Sequence, residues 1–147
     1  MKNSPLRMLI MLATLALLAA PAFADPPNLV GSWSSVSTSD QTGQTTATLW
    51  TFGQDGTLIV SASVANASAG HGSWERTGGR TFEAVNEAFG FAPDGSLAFT
   101  LRNRATFEVN QGGETFDAAF SSEIVAPDGT VIATTSGTAT GQRISVN

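Results

Sequence analysis

Phe89-Gly90-Phe91-Ala92-Pro93-Asp94-Gly95-Ser96-Leu97-Ala98-Phe99 is two alternating runs joined by a turn. Pro pre-sets φ near the start of a turn, and Gly accepts the positive φ that completes it. The stretch therefore reads as a β-hairpin. The same turn chemistry recurs at Gly53-Gln54-Asp55-Gly56, Gly78-Gly79, Gln111-Gly112-Gly113 and Pro127-Asp128-Gly129. Working outward from these turns predicts eight strands, at 31–38, 45–52, 57–64, 70–76, 80–91, 96–110, 114–126 and 130–146. No helical period of useful length interrupts them. Tight connections favour a meander over a Greek key. The expected fold is all-β, an eight-stranded antiparallel up-and-down β-barrel, whose closure removes exposed sheet edges.

The first 24 residues read differently. Lys2 and Arg7 give a positive start, Met8 to Ala20 is apolar apart from Thr14, and Pro21 precedes Ala22-Phe23-Ala24. This is the pattern of a secretory signal peptide cleaved after Ala24. The apolar run is shorter than the ~20 residues a membrane helix needs. The expected division is a signal peptide at 1–24 and one barrel domain at 25–147, exported to the periplasm or secreted. No membrane span is expected after cleavage.

All twelve acids fall in the domain, and of the seven Lys and Arg only Arg76, Arg80, Arg102, Arg104 and Arg143 do, leaving a net charge of −7. Such a surface repels nucleic acid and anionic lipid, and suits a soluble monomer. Cysteine is absent. The domain must hold together by its core and sheet ladder alone.

The later hairpins can be paired from the pattern. Phe91 is placed opposite Leu97, Phe89 opposite Phe99, Val85 opposite Asn103, Phe107 opposite Phe116, and Ile124 opposite Ala133. That register gathers Phe residues on one face, while the last strand offers Val131, Ala133, Thr135, Gly137, Ala139 and Gly141 to the same face. Small opposite large is either size compensation in a filled core or an unfilled lumen that admits a ligand. A void above ~300 Å³ would favour the second.

Gly31-Ser32-Trp33 opens the first strand, and Arg143 lies near the end of the last. Barrel closure makes those strands neighbours, so Trp33 and Arg143 can stack as a cation–π plug worth ~1–2 kcal/mol if dry. A Gly-x-Trp on the first strand, eight strands in a meander and an Arg on the last resemble the lipocalins and the wider calycin superfamily. The run His71-Gly72-Ser73-Trp74-Glu75-Arg76, followed by Arg80-Thr81-Phe82, resembles small exported bacterial proteins with lipocalin-like domains. The resemblance implies that Trp33 and Arg143 close one end and that the other end opens to a hydrophobic ligand.

His71, Ser73 and Glu75 share one side of a strand, but residues two apart lie ~6.5–7 Å from each other there, too far for a triad. One His and no Cys make a metal centre an unfavoured reading, and no Ca²⁺ loop pattern appears. The predicted register also points Glu83 and Glu87 inward. A bulge near residues 84–86 would instead turn Glu83 out and Phe82 in. An inward Glu87 beside Asn103 could orient a ligand or act as a base. Three functions follow. The first is non-enzymatic binding of a small apolar or amphipathic molecule by Phe89, Phe91, Leu97, Phe99, Glu87 and Asn103, with no cofactor. The second is an isomerase or cyclase using Glu87 with Asn103. The third is a structural or inhibitory protein with a filled core.

Overall fold

In a computed structural model that describes residues 26–146, the chain forms β1 (Gly31–Ser39), β2 (Thr45–Phe52), β3 (Thr57–Ala62), β4 (Gly70–Arg76), β5 (Thr81–Phe91), β6 (Leu97–Val109), β7 (Thr115–Val125) and β8 (Val131–Arg143). The expected signal peptide lies outside the described residues. Each strand pairs antiparallel with its sequence neighbour, and β8 returns to β1, closing the barrel in simple up-and-down order. The closing ladder runs from Trp33 opposite Arg143 to Ser39 opposite Gly137. No helix among the described residues is long and apolar enough to cross a membrane.

Three hairpins share one device. Asp55, Asp94 and Asp128 each stand before a Gly of positive φ, at 85°, 83° and 90° for Gly56, Gly95 and Gly129. Each such Gly donates its N–H to the carbonyl three residues back, at Gly53, Ala92 and Ala126. This is the turn with a following left-handed residue that suits a twisted hairpin. The aspartates accept from the residue two positions on. Thr57 donates its hydroxyl to Asp55 at 2.7 Å and its N–H at 3.0 Å, Ser96 does the same to Asp94 at the same distances, and the Thr130 N–H reaches Asp128 at 2.9 Å.

The strand ends differ from the pattern in one instructive place. β3 stops at Ala62 rather than residue 64. The chain then leaves the β2 ladder and forms a loop, 63–69, that comes back onto β5, where Ala67 bridges Gly90 and the Phe91 N–H donates to the Asn66 carbonyl at 2.8 Å. The β7–β8 register is as read from the sequence, with Ile124 opposite Ala133 and Phe116 opposite Gly141. Two other registers are corrected. In β6–β7, Phe107 faces Ala118 and Phe116 faces Val109. The Asn110 carboxamide oxygen accepts from both the Glu114 and Thr115 N–H groups, which lengthens the turn and slides the ladder by two residues without changing faces.

In β5–β6, Phe91 does face Leu97, but a bulge between Gly90 and Phe91 sets Gly90 opposite Phe99 and Phe89 opposite Thr100. A one-residue slip exchanges the two faces of a strand. Phe82, Ala84, Asn86 and Gly90 are therefore buried, while Val85, Glu87 and Phe89 are exposed.

The core is aromatic at its centre. Phe107 meets Phe52 and Phe116 edge-on, at 5.4 and 5.0 Å between ring centroids, and Trp33 lies 5.2 Å from Phe116. Such tilted and edge-on pairs contribute ~0.5–1.5 kcal/mol each beyond area burial. Phe116, Phe120 and Phe99 lie directly over Gly141, Gly137 and Gly90, so that an added Cβ would strike each ring. The small residues on the inward face are thus size compensation for large ones across the ladder.

The three turn aspartates predict a pH effect. Hydroxyl and N–H donors from Thr57 and Ser96, and the N–H and hydroxyl of Thr130, hold Asp55, Asp94 and Asp128 below the usual carboxylate range. A carboxylate depressed in the fold stabilises it above the unfolded-state value, and that contribution disappears as pH falls through the folded-state value. Thermal melts should show the triple Asp→Asn variant losing less stability than wild type between about pH 5 and about pH 2. Equal acid-side losses would contradict this reading.

Candidate functional site

The two ends of the barrel are built differently. At one end the entering segment crosses the opening, and Leu29 is fully buried in it. Arg143 lies 4.3 Å from the Trp33 ring centroid. Its guanidinium donates to the carbonyls of Val30, Asn28 and Gly113 at 2.7, 2.8 and 2.8 Å. The Trp33 indole N–H donates to the Leu29 carbonyl at 2.8 Å. Arg76 repeats the arrangement from β4, lying 4.5 Å over Phe82 and donating to the Pro27 carbonyl at 2.9 Å. Trp74 ties the β2–β3 turn to this end by donating its indole N–H to the Gly53 carbonyl at 2.9 Å. Leu29 and Arg76 escaped the sequence reading. The apolar pair Leu29-Val30 just before Trp33 was the available signal.

Above this plug the lumen turns polar without turning charged. Ser35, Thr48, Asn86 and Ser122 are buried. Trp50 donates its indole N–H to the Ser35 hydroxyl at 2.8 Å. Asn86, Asn103, Ser122 and Thr135 are successive cross-strand partners from β5 to β8, forming a row that climbs toward the open end because the strands of a closed barrel are tilted. The Ser122 hydroxyl donates to the Asn103 carboxamide oxygen, and the Ser39 and Thr135 hydroxyls stand 3.3 Å apart. Gln41, from the β1–β2 turn, accepts from the Thr135 hydroxyl at 2.7 Å and from the Ser136 N–H at 3.1 Å. Sequence reasoning named Asn103 as a site residue and placed Thr135 on the inward face, but did not pick out Asn86 or Ser122. The signal for the rest was polar residues at inward-facing positions of otherwise apolar strands.

At the other end the inward-facing Phe99, Leu101 and Ile124 are only partly buried; toward the plug Trp33, Phe52, Phe82, Phe107 and Phe116 are at most 2% exposed, and Trp50, Trp74 and Phe120 are partly buried against them.

The residues expected to line a ligand site divide between the faces. Phe99 and Asn103 point into the lumen. Phe89, Phe91 and Leu97 are on the outer surface, 49%, 36% and 42% exposed, with the Phe89 and Phe91 rings 6.5 Å apart. The bulge at Gly90 is the reason. Glu87 is corrected in the same way. It faces outward and pairs with Arg102 at 2.8 Å, both more than half exposed. Asn103 lies on the opposite side of the sheet, so the two cannot form an acid–base pair. Glu83 also faces outward, 4.0 Å from Arg104.

The outer face carries a groove of about 680 Å³ across β4–β7, lined mostly by outward-facing residues and also touched by Gly72, Asn86 and Asn103. Its rows are set by the ladder: His71, Glu87, Arg102 and Glu123 are successive partners, and Val85, Arg104 and Ser121 form the next row. This space lies outside the barrel wall and is not a lumen. Exposed ion pairs of this kind contribute little to stability, ~0–1 kcal/mol. Among the described residues no group of His, Cys, Asp and Glu is placed to hold a metal ion.

No protein-family model, curated protein or solved structure matches the chain. The class of molecule is accordingly defined by its architecture, a closed up-and-down barrel with one sealed end.

Arg143→Met removes three carbonyl hydrogen bonds and the contact with Trp33 together. Denaturant unfolding should show a loss of about 2–4 kcal/mol. A loss under about 0.5 kcal/mol, the range of an ordinary surface substitution, would contradict the role of this arginine.

Proposed function

We propose that the protein is an exported, non-enzymatic carrier or receptor barrel that takes a small amphipathic molecule into its unsealed end, acting as a monomer. The observation that carries this reading is the gradient of burial along the inward face. Trp33, Phe52, Phe82, Phe107 and Phe116 are fully buried on the side of Arg143, while Phe99, Leu101 and Ile124 are only partly buried toward the other end. A ligand entering there meets apolar walls and hydrogen-bonding groups beside them, the composition usual for small-molecule sites. Export rests on the leader pattern of residues 1–24. The acidic, cysteine-free domain is compatible with life outside the cytoplasm. The isomerase reading loses its support because Glu87 and Asn103 lie on opposite faces of the sheet.

N-phenyl-1-naphthylamine, a neutral apolar fluorophore, provides the test. Its emission should rise saturably with one site per chain. Ala133 faces the lumen near the mouth yet is exposed, so Ala133→Trp should obstruct entry without disturbing the core. Binding should weaken by about tenfold or more, equivalent to ~1.4 kcal/mol. Unsaturable emission, or equal binding by the variant, would contradict the reading.

A further inference from the structure

We infer that the open end selects an uncharged head group, a hydroxyl or carboxamide, and rejects an ionised one. The inference rests on the binding reading above and supplies its specificity. The polar wall below the mouth is the row of Asn86, Asn103, Ser122 and Thr135. Asn86 and Ser122 are each only 6% exposed, so a head group reaching them leaves water almost completely. An ion placed there without a partner carries a desolvation penalty that nothing in the row offsets. Carboxamides and hydroxyls instead offer neutral donors and acceptors together. Ser122 already donates to the Asn103 oxygen, which leaves the Asn103 amino group free to donate. The Asn86 amide stands outside the hydrogen bonds of the row and offers both a donor and an acceptor. Asn103 and Thr135 are only partly buried, so the row is reachable rather than sealed off.

The charges around this row are all directed elsewhere. His71 on β4, Glu83 and Glu87 on β5, Arg102 and Arg104 on β6 and Glu123 on β7 occupy the outward positions of their strands. β1, β2, β3 and the inward face of β8 carry no titratable side chain before Arg143, which is committed to the sealed end. Asp40, in the β1–β2 turn, accepts from the Ser136 hydroxyl at 2.9 Å on the exposed rim. A carboxylate ligand would find no counter-ion along the row, and an ammonium ligand no anion.

Displacement of N-phenyl-1-naphthylamine from the full domain by octanol, octanamide, octanoate and octylamine separates the possibilities. At pH 8, octanol and octanamide should compete at least about tenfold better than octanoate or octylamine. Octanoate should gain as acidification protonates it, while octanol should stay constant over the same range. Asn103→Asp should favour octylamine over octanol, with a thermal melt confirming that the variant folds. Octanoate competing as well as octanol at pH 8 would overturn the specificity and leave the binding reading standing. Failure of the probe and of all four compounds to bind would overturn both.

Discussion

Arg143 over Trp33 is the contact on which the architecture turns. The two residues are direct partners across the closing β1–β8 ladder, 110 positions apart in the chain. Sheet closure brings them together, and their stacking in turn holds the closing strands. The guanidinium also fastens the entering segment by its carbonyls, so one side chain joins the first strand, the last strand, the β6–β7 turn and the Leu29 plug. Arginine suits this task because its planar fork donates in several fixed directions and stacks on an aromatic face, which lysine cannot do.

From that end the interior changes character. Interlocked aromatics come first, and toward the mouth half-buried apolar residues on β6 and β7 stand beside a row of carboxamides and hydroxyls that reaches Thr135 and Gln41. The polar row carries a desolvation cost that its own hydrogen bonds largely offset. A barrel meant only to be solid would gain more from continuing the apolar packing. The absence of charge from this row is the feature that distinguishes it from the outer wall, where Glu87, Arg102 and Glu123 alternate in the open.

Much of this was legible in the sequence. The turns declare themselves through Asp-Gly and Gly-Gly pairs, and alternation between them gives the strands and their order. Trp33 and Arg143 could be brought together once closure was assumed. The inward face of β5 was not legible. Both of its faces hold apolar residues: Phe82, Ala84 and Ala88 on one, Val85 and Phe89 on the other. Counting pairs back from the Pro93-Asp94-Gly95 turn put Phe89 opposite Phe99 and so on the inner face, and the bulge between Gly90 and Phe91 decides against it. A backbone irregularity of one residue moves every side chain on a strand across the sheet. Phe89 and Glu87 were misplaced for that single reason, and with them most of the expected ligand site. The role of Leu29 was hidden because it precedes the first strand and has no alternation to mark it.

The central claim is a lumen sealed at one end and reachable at the other. Paramagnetic relaxation of side-chain methyls by a neutral gadolinium chelate in solution measures their depth directly. Leu101 and Ile124 should relax strongly, and Leu29, Leu58 and Val109 weakly. Equal relaxation of the two sets would contradict the account.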